Sequence, residues 1–195
     1  FFHNSYKLNF IPHNMLNPSI ILKHYKRHDI AEAMITAGQN REVSFKFGEN
    51  GFGKRPDIIT YPQDILEVAK QGCTSLHVSE EHWSNPLALS PTLKKEELDA
   101  LRIGWDLVLD IDCKYWEYAK VITHLLIEEL KDHGIKSISV KFSGSKGFHI
   151  GVPFKAFPET VHGKQTRLLF PEAPKRISLY LKDRIEPKLV AYLTK

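Results

Sequence analysis

Hydrophobic and polar positions along this chain switch between two periods, and the switches mark out its elements. Over 17–37, apolar residues at Ile21, Leu22, Ile30, Met34 and Ile35 recur at helical spacing and predict one helix or two short ones. The stretch REVSFKF changes period, with Val43, Phe45 and Phe47 alternating with polar neighbours as in a half-buried strand. A glycine-rich turn, GENGFGKRP, follows it. Then come a predicted helix over 62–71 and a strand in TSLHVSEEHW that runs out into a loop. SNPLALSPTLKKEELD, with two prolines before a charged helix start, reads as a connector.

The second half is sharper. In WDLVLDID the residues Leu107, Val108, Leu109 and Ile111 are nearly continuous, which predicts a strand buried on both faces. An amphipathic helix is predicted over 115–133, with Ile122, Leu125, Leu126 and Leu130 inward and Glu128, Glu129, Lys131 and Asp132 largely outward. Gly134 stands where a C-terminal cap glycine belongs. SISVKF reads as a strand, SGSKG as a turn and FHIGVPF as a strand leading away. Over 171–195 a last helix is predicted, with Ile177, Leu181, Ile185 and Leu189 spaced by fours. Strand, helix and strand followed by a hairpin predict an α/β (α+β) fold with a mixed sheet flanked by helices. One domain over 1–195 is expected, with an N-terminal lobe over about 1–100 and a second lobe over 101–195.

Composition narrows the function classes only a little. With 42% hydrophobic residues, 26% charged residues and a net charge of +4, the chain is ordinary globular protein with a modest basic bias. That bias permits a polyanionic partner without requiring one. Two cysteines, Cys73 and Cys113, can build neither a disulfide framework nor a four-cysteine zinc site, so no structural zinc and a reducing, intracellular compartment are expected. No apolar run approaches the roughly 18 residues of a membrane span, and FFHNSYKLNF lacks the layout of a secretory signal. A soluble chain without a membrane partner is the expectation. The chain opens on Phe1, which suggests a processed product or an excised piece.

Two short stretches carry candidate chemistry. Asp110 and Asp112 flank Ile111 at a strand end, so strand alternation projects both carboxylates from one face. Like charges so placed repel unless a cation sits between them, and hard oxygen ligands favour Mg²⁺ or Mn²⁺. The competing reading is a strand leaving into a solvated loop. In SGSKGFH, the glycines of Ser143, Gly144, Ser145, Lys146 and Gly147 let backbone N–H groups form an anion-binding concavity. Two hydroxyls, the Lys146 ammonium and His149 just beyond complete a phosphate cradle, and an ordinary hairpin turn is the alternative. Metal and cradle on adjacent strands would suit a nucleoside triphosphate.

DLVLDID followed by FSGSKGFHI resembles the first two signature motifs of the archaeo-eukaryotic primase superfamily: hydrophobic-Asp-hydrophobic-Asp, then Ser-Gly-x-x-Gly-x-His. REVSFKF with Arg55 beyond it, HVSEEHWSNP and PEAPKRISLYLKDRIEP look most like the small catalytic subunit of archaeal and eukaryotic DNA primases. The resemblance spans roughly 17–190. It implies template-directed nucleotidyl transfer from NTPs or dNTPs with two Mg²⁺ or Mn²⁺ ions on a single-stranded DNA template and primer. A large primase subunit, or other replication and repair proteins, is an implied partner, in the cytoplasm, at the nucleoid or in a nucleus. Carried onto this chain, Asp110 and Asp112 would be catalytic metal ligands. Ser143, Gly144, Ser145, Lys146 and His149 would hold the triphosphate, and Arg41 and Arg55 would contact phosphate or template.

Two features depart from that family. A third metal-binding aspartate on a later strand is expected, and this chain offers only Asp183 in a helical pattern; a fragment truncated at the C-terminus before its last catalytic strand is the favoured expectation, with substitution by Glu159 or Glu172, or loss of activity, as the alternatives. The family often inserts a cysteine-rich knuckle between its two motifs, whereas Cys113 is the only cysteine between Asp112 and Ser143. That short spacing also resembles the polymerase domains of bacterial end-joining ligases, so a repair or translesion primase-polymerase is the alternative. A non-catalytic nucleotide- or nucleic-acid-binding module is the rival from another class. GENGFGK fits the outline of a phosphate-binding P-loop, but Arg55 and Pro56 stand where a hydroxyl residue and a helix start are needed. Lys54 and Arg55 in that turn, and KHYKRH at 23–28, are basic surfaces open to nucleic acid or simply to water. His77 and His82 match no zinc spacing and are expected to be structural.

Overall fold

The computed structural model describes residues 17–144 and 146–194. Ser145, one of the candidate phosphate ligands, lies outside the described residues. The chain divides into two compact units between Val78 and Ser79.

The first unit packs helices α1 (Pro18–Tyr25), α2 (His28–Gly38) and α3 (Pro62–Lys70) with the strand pair β1 (Val43–Lys46) and β2 (Ser75–Val78). The region predicted as one or two helices is two. Arg27 adopts an extended conformation, with ψ at 128°, and its guanidinium holds Asp29 at 2.5 Å across the break. Asn17 caps α1 by accepting from Ser19 N–H at 2.9 Å, and Asp64 accepts from the Thr60 and Tyr61 N–H groups ahead of α3. Strands β1 and β2 are antiparallel, with Phe45 opposite Leu76. Val43, Phe45, Ile59, Ile65, Ala31 and Cys73 form the core. After β1 the GENGFGK stretch makes a short 3₁₀ turn (Gly48–Asn50), doubles back through a Lys46–Phe52 bridge and runs on without a helix. A P-loop lysine leads into a helix, so this turn is not one.

In the second unit, β3 (Glu81–Trp83) pairs antiparallel with β4 (Arg102–Trp105), and helix α4 (Lys95–Leu101) leads into β4. The predicted TSLHVSEEHW strand is therefore two strands in two sheets. WDLVLDID also begins later than predicted, as β5 (Leu107–Asp112), because Asp106 interrupts the run. Its carboxylate accepts the Phe154 N–H at 2.9 Å and lies 3.1 Å from His82 Nε2. Trp105 is fully buried against Phe154, Phe157 and Phe170, and its indole N–H donates to the Thr166 carbonyl at 2.9 Å.

Helix α5 (Trp116–Asp132) crosses from β5 to β6 (Ser139–Phe142), and a hairpin returns as β7 (Gly147–Val152). The sheet order is β5-β7-β6 with antiparallel neighbours throughout, so the returning strand fills the gap between β5 and β6. A small pair, β8 (Thr160–Val161) and β9 (Lys164–Gln165), precedes the long helix α6 (Glu172–Leu193). Leu107, Leu109 and Ile111 of β5 join Ile150 and Val152 of β7, Leu126 and Leu130 of α5, and Leu181 and Ile185 of α6 in one core. Only that face of β5 is covered. Asp110 and Asp112 on the other face are exposed and Val108 is half-buried, which corrects the expectation of a strand buried on both faces.

Glu129 corrects the helical pattern too. It is fully buried on the inner side of α5, where Arg184 Nε and Lys188 Nζ of α6 donate to its two oxygens at 2.7 and 3.1 Å. Those two hydrogen bonds hold its carboxyl below the usual glutamate range. No helix among the described residues is long and apolar enough to cross a membrane.

Candidate functional site

Strand alternation puts Val108, Asp110 and Asp112 of β5 on the uncovered face of the sheet. Cross-strand pairs share a face, so the register builds rows across it. Asp110 lies opposite His149, and His149 lies opposite Lys141 of β6. A carboxylate, an imidazole and an ammonium thus stand side by side on three strands. His149 Nε2 is 3.4 Å from Asp110 Oδ1, with the two side chains 36% and 68% exposed. Water screens a contact that open, so both groups remain available to a ligand.

The neighbouring rows are cleared of bulk. Gly147 faces Asp112, and Gly151 faces Val108 on one side and Ser139 on the other. At Gly147 a Cβ would lie 1.6 Å from the Ile111 carbonyl oxygen, so the close approach of β7 to β5 at Asp112 requires glycine. His149 is the β7 side chain standing between these two glycines.

The loop joining β6 to β7 is closed by two hydrogen bonds. Ser143 N–H donates to the Gly147 carbonyl at 2.9 Å, and Ser143 Oγ accepts from Gly147 N–H at 3.2 Å. Gly144 has φ of +94°, a conformation that side chains rarely adopt. Ser143, Gly144 and Lys146 are exposed. Because Gly147 ends the loop and faces Asp112, loop and carboxylates meet at one end of the sheet.

Six of the nine residues singled out from sequence therefore gather here: Asp110, Asp112, Ser143, Gly144, Lys146 and His149. Ser145 lies outside the described residues. Arg41 and Arg55 belong to the first unit, where Arg41 precedes β1 and Arg55 grips Glu42 through two hydrogen bonds of 2.8 and 3.0 Å. Asp183 and Glu172 are on α6 and Glu159 precedes β8, and no group of three or more His, Cys, Asp or Glu able to hold a metal occurs among the described residues. Two exposed carboxylates on one face fit the way Mg²⁺ is commonly held, by one or two protein carboxylates with water and substrate phosphate completing the shell.

Lys141 is the member that sequence reading passed over. Its signal was present: it sits two residues before Ser143 on a strand, so it shares a face with the loop-end serine. What was missing was the register that sets it beside His149. His82, expected to be structural, sets its buried Nε2 3.1 Å from Asp106 Oδ1 without hydrogen-bond geometry. Cys73 is buried, donates to the Ser75 carbonyl at 3.3 Å and has its thiol pKa pushed up by burial, which suits a core residue.

The chain matches no protein-family model. It is 31% identical over 121 residues to MJECS07, an uncharacterized protein of Methanocaldococcus jannaschii, an alignment covering 60% of this chain and 26% of that protein. Among solved structures it resembles the polymerase domain of Mycobacterium tuberculosis ligase D in complex with DNA. The TM-score is 0.57 at 19% sequence identity, over 87% of this chain and 64% of that one. The chain thus spans about a quarter of the curated relative and under two thirds of the polymerase domain. At that identity the likeness establishes the architecture alone: this chain shares the fold of that polymerase domain, with helices around small antiparallel sheets.

Proposed function

We propose that the chain is a template-directed nucleotidyltransferase of the primase-polymerase kind, acting through the uncovered face of the β5-β7-β6 sheet. One observation carries the reading: Asp110, His149 and Lys141 in a single row, with Asp112 and the Ser143–Gly147 loop at its end. The fold shared with a polymerase domain supports it.

In this reading Asp110 and Asp112 hold the divalent ion, Mg²⁺ or Mn²⁺. When bound, such an ion supplies Lewis-acid activation of a 3′-hydroxyl and neutralises charge on the triphosphate. His149 and Lys141 donate to phosphate oxygens, and the loop amides and the Ser143 hydroxyl orient the phosphate chain for in-line displacement. Glycines at 147 and 151 keep the floor low enough for the substrate to lie on backbone. Template pairing supplies sequence selection while the protein holds backbones. A DNA primase catalytic subunit and an end-joining repair polymerase share this chemistry. The likeness to the ligase D polymerase domain gives the repair role equal standing.

The test is incorporation of labelled rNTPs and dNTPs with Mg²⁺ or Mn²⁺, alongside metal-dependent nucleotide binding. Unprimed single strands favour the primase role and broken ends with short overhangs the repair role. Asp110→Ala and Asp112→Ala are expected to abolish both signals while the chain stays folded. Retention of metal-dependent incorporation by either variant refutes the proposed mechanism.

A further inference from the structure

Beyond Asp112 the chain enters α5 through Cys113 and Lys114, and the start of the helix leaves Tyr115, Trp116 and Tyr118 exposed. Phe142, at the end of β6, is 48% exposed, and Phe148 of β7 lies beside it in register. The Trp116 ring meets Phe142 at 5.3 Å and Phe148 at 5.0 Å between centroids, and Tyr115 meets Tyr118 at 5.5 Å. None of the five belongs to the core cluster or packs against it. A group of large rings, four of them exposed and Phe148 half-buried, at the end of the sheet that carries Asp112 and the loop calls for an occupant.

The charges around the rings indicate its chemistry. Segments 113–120 and 139–148 carry Lys114, Lys120, Lys141 and Lys146 against the single carboxylate Glu117. Glu117 is taken by Lys120 at 2.7 Å. Among the described residues, Lys114 and Lys146 have no carboxylate partner, and Lys114 Nζ sits 5.8 Å from the Tyr115 ring centroid; Lys141 stands in the Asp110–His149 row, on the other face. Val140 is the only aliphatic among the large exposed apolar residues of these two segments. Asp110 and Asp112 project from the opposite face of β5, so their charge does not line the aromatic surface. Exposed rings interleaved with free lysines match unpaired bases and their phosphates, since rings stack on any base and ammonium groups track the backbone. A protein partner would sooner be met by the aliphatic residues that α6 exposes, Leu179, Val190 and Leu193.

We propose that Tyr115, Trp116, Tyr118, Phe142 and Phe148, with Lys114 and Lys146, form a stacking platform for single-stranded nucleic acid beside the candidate site. The proposal rests on the nucleotidyl-transfer reading of that same sheet end. Rings stack on bases only where those bases are free, so the platform favours a single strand over a duplex.

Tryptophan emission tests it directly. Trp83 and Trp105 are buried, whereas Trp116 is 44% exposed, so quenching by a bound base reports mainly Trp116. An oligo-dT of about 20 nucleotides, a length that spans a typical site, is titrated into the chain in EDTA. Emission and the anisotropy of a labelled copy are followed together. Expected are saturable quenching that coincides with the anisotropy change, loss of the quench in Trp116→Phe, and weak competition by a duplex of equal length. Phe142→Ala and Tyr115→Ala are exposed truncations, each expected to raise Kd by about 5- to 150-fold for every stacked base lost.

Absence of strand binding overturns the proposal. So does binding without quenching and with unchanged Kd in the ring variants. Quenching that follows self-association in sedimentation, rather than oligonucleotide, also overturns it and makes the surface an interface between copies. Metal-dependent nucleotide binding is measured on the same variants. Its survival when the platform fails leaves the nucleotidyl-transfer reading standing, and its absence in the unmodified chain refutes that reading instead.

Discussion

Replacing Asp112 with asparagine separates a binding carboxylate from a structural one. Asp110 and Asp112 are two residues apart on one strand face, so their Cα atoms are about 6.6 Å apart at about 3.3 Å per residue. Both are exposed. Two unit charges at that separation repel by roughly 0.6 kcal/mol in bulk water and by about 2.5 kcal/mol at an effective dielectric of about 20. Screening at physiological salt, with a Debye length of about 8 Å, cuts this to about 0.3–1 kcal/mol.

Asp112 is the cleaner of the two to change. It faces Gly147, and its side chain makes no hydrogen bond or ion pair among the described residues, whereas Asp110 has His149 at 3.4 Å. Asp112→Asn keeps the shape and removes the charge. In EDTA the variant is expected to be more stable than the parent, with a thermal midpoint about 1–4 °C higher. The gain shrinks as salt rises. Added Mn²⁺ reverses the order, because the parent gains stability by mass action and the variant gains little. Melting curves in EDTA and in Mn²⁺ at two salt concentrations check each step. A variant less stable than the parent in EDTA would show that the carboxylate holds the strand end together. Equal Mn²⁺ stabilisation of both proteins would refute the cation site.

Four further outcomes follow from the geometry. Gly147→Ala should cost roughly 2–3 kcal/mol in urea unfolding, because its Cβ meets the backbone carbonyl of Ile111, which cannot move without parting β5 from β7. Gly151→Ala should cost under about 1 kcal/mol, since its Cβ meets the Ser139 hydroxyl at 2.7 Å and a side chain can rotate away. His149→Ala should raise the Kd for a nucleoside triphosphate about tenfold or more, the range for a charged hydrogen bond, while melting is unchanged; unaltered affinity would favour a merely packed histidine. Glu129 has its pKa lowered in the folded state, so its contribution to stability is present above the unfolded glutamate pKa of about 4.3 and fades as pH falls through the folded value. Glu129→Gln should therefore lower stability at pH 7 and flatten the acid limb of a stability profile below the unfolded value; an unchanged limb would mean that Arg184 and Lys188 contribute little to it.

Two exposed carboxylates beside an imidazole are compatible with a nucleotide site and of little use to a core. The sheet's other face already supplies the core through Leu107, Leu109, Ile111, Ile150 and Val152. Loss of Asp110 or His149 thus leaves the packed layer intact, and stability and binding can be perturbed separately on this strand pair.

Local pattern carried much of this protein. The alternation in DLVLDID determined that Asp110 and Asp112 share a face, because strand geometry turns a two-residue spacing into co-orientation. The apolar stripe over 115–133 determined α5, and SGSKG between two strand-like runs determined the hairpin, since helix period and turn chemistry are properties of neighbouring residues. Tertiary structure decided the rest. Burial on one face of β5 depends on which layer α5 and α6 cover, and Glu129 is drawn inward only because Arg184 and Lys188, some 55 to 59 residues later, meet it. Asp106 ends one strand and starts another because Phe154 and His82 reach its carboxylate. The order β5-β7-β6 places His149 between Asp110 and Lys141, and the same register gathers Phe142 and Phe148 around Trp116. Spacing along the chain cannot specify such juxtapositions, because cross-strand register is set by contacts between segments that are remote in sequence.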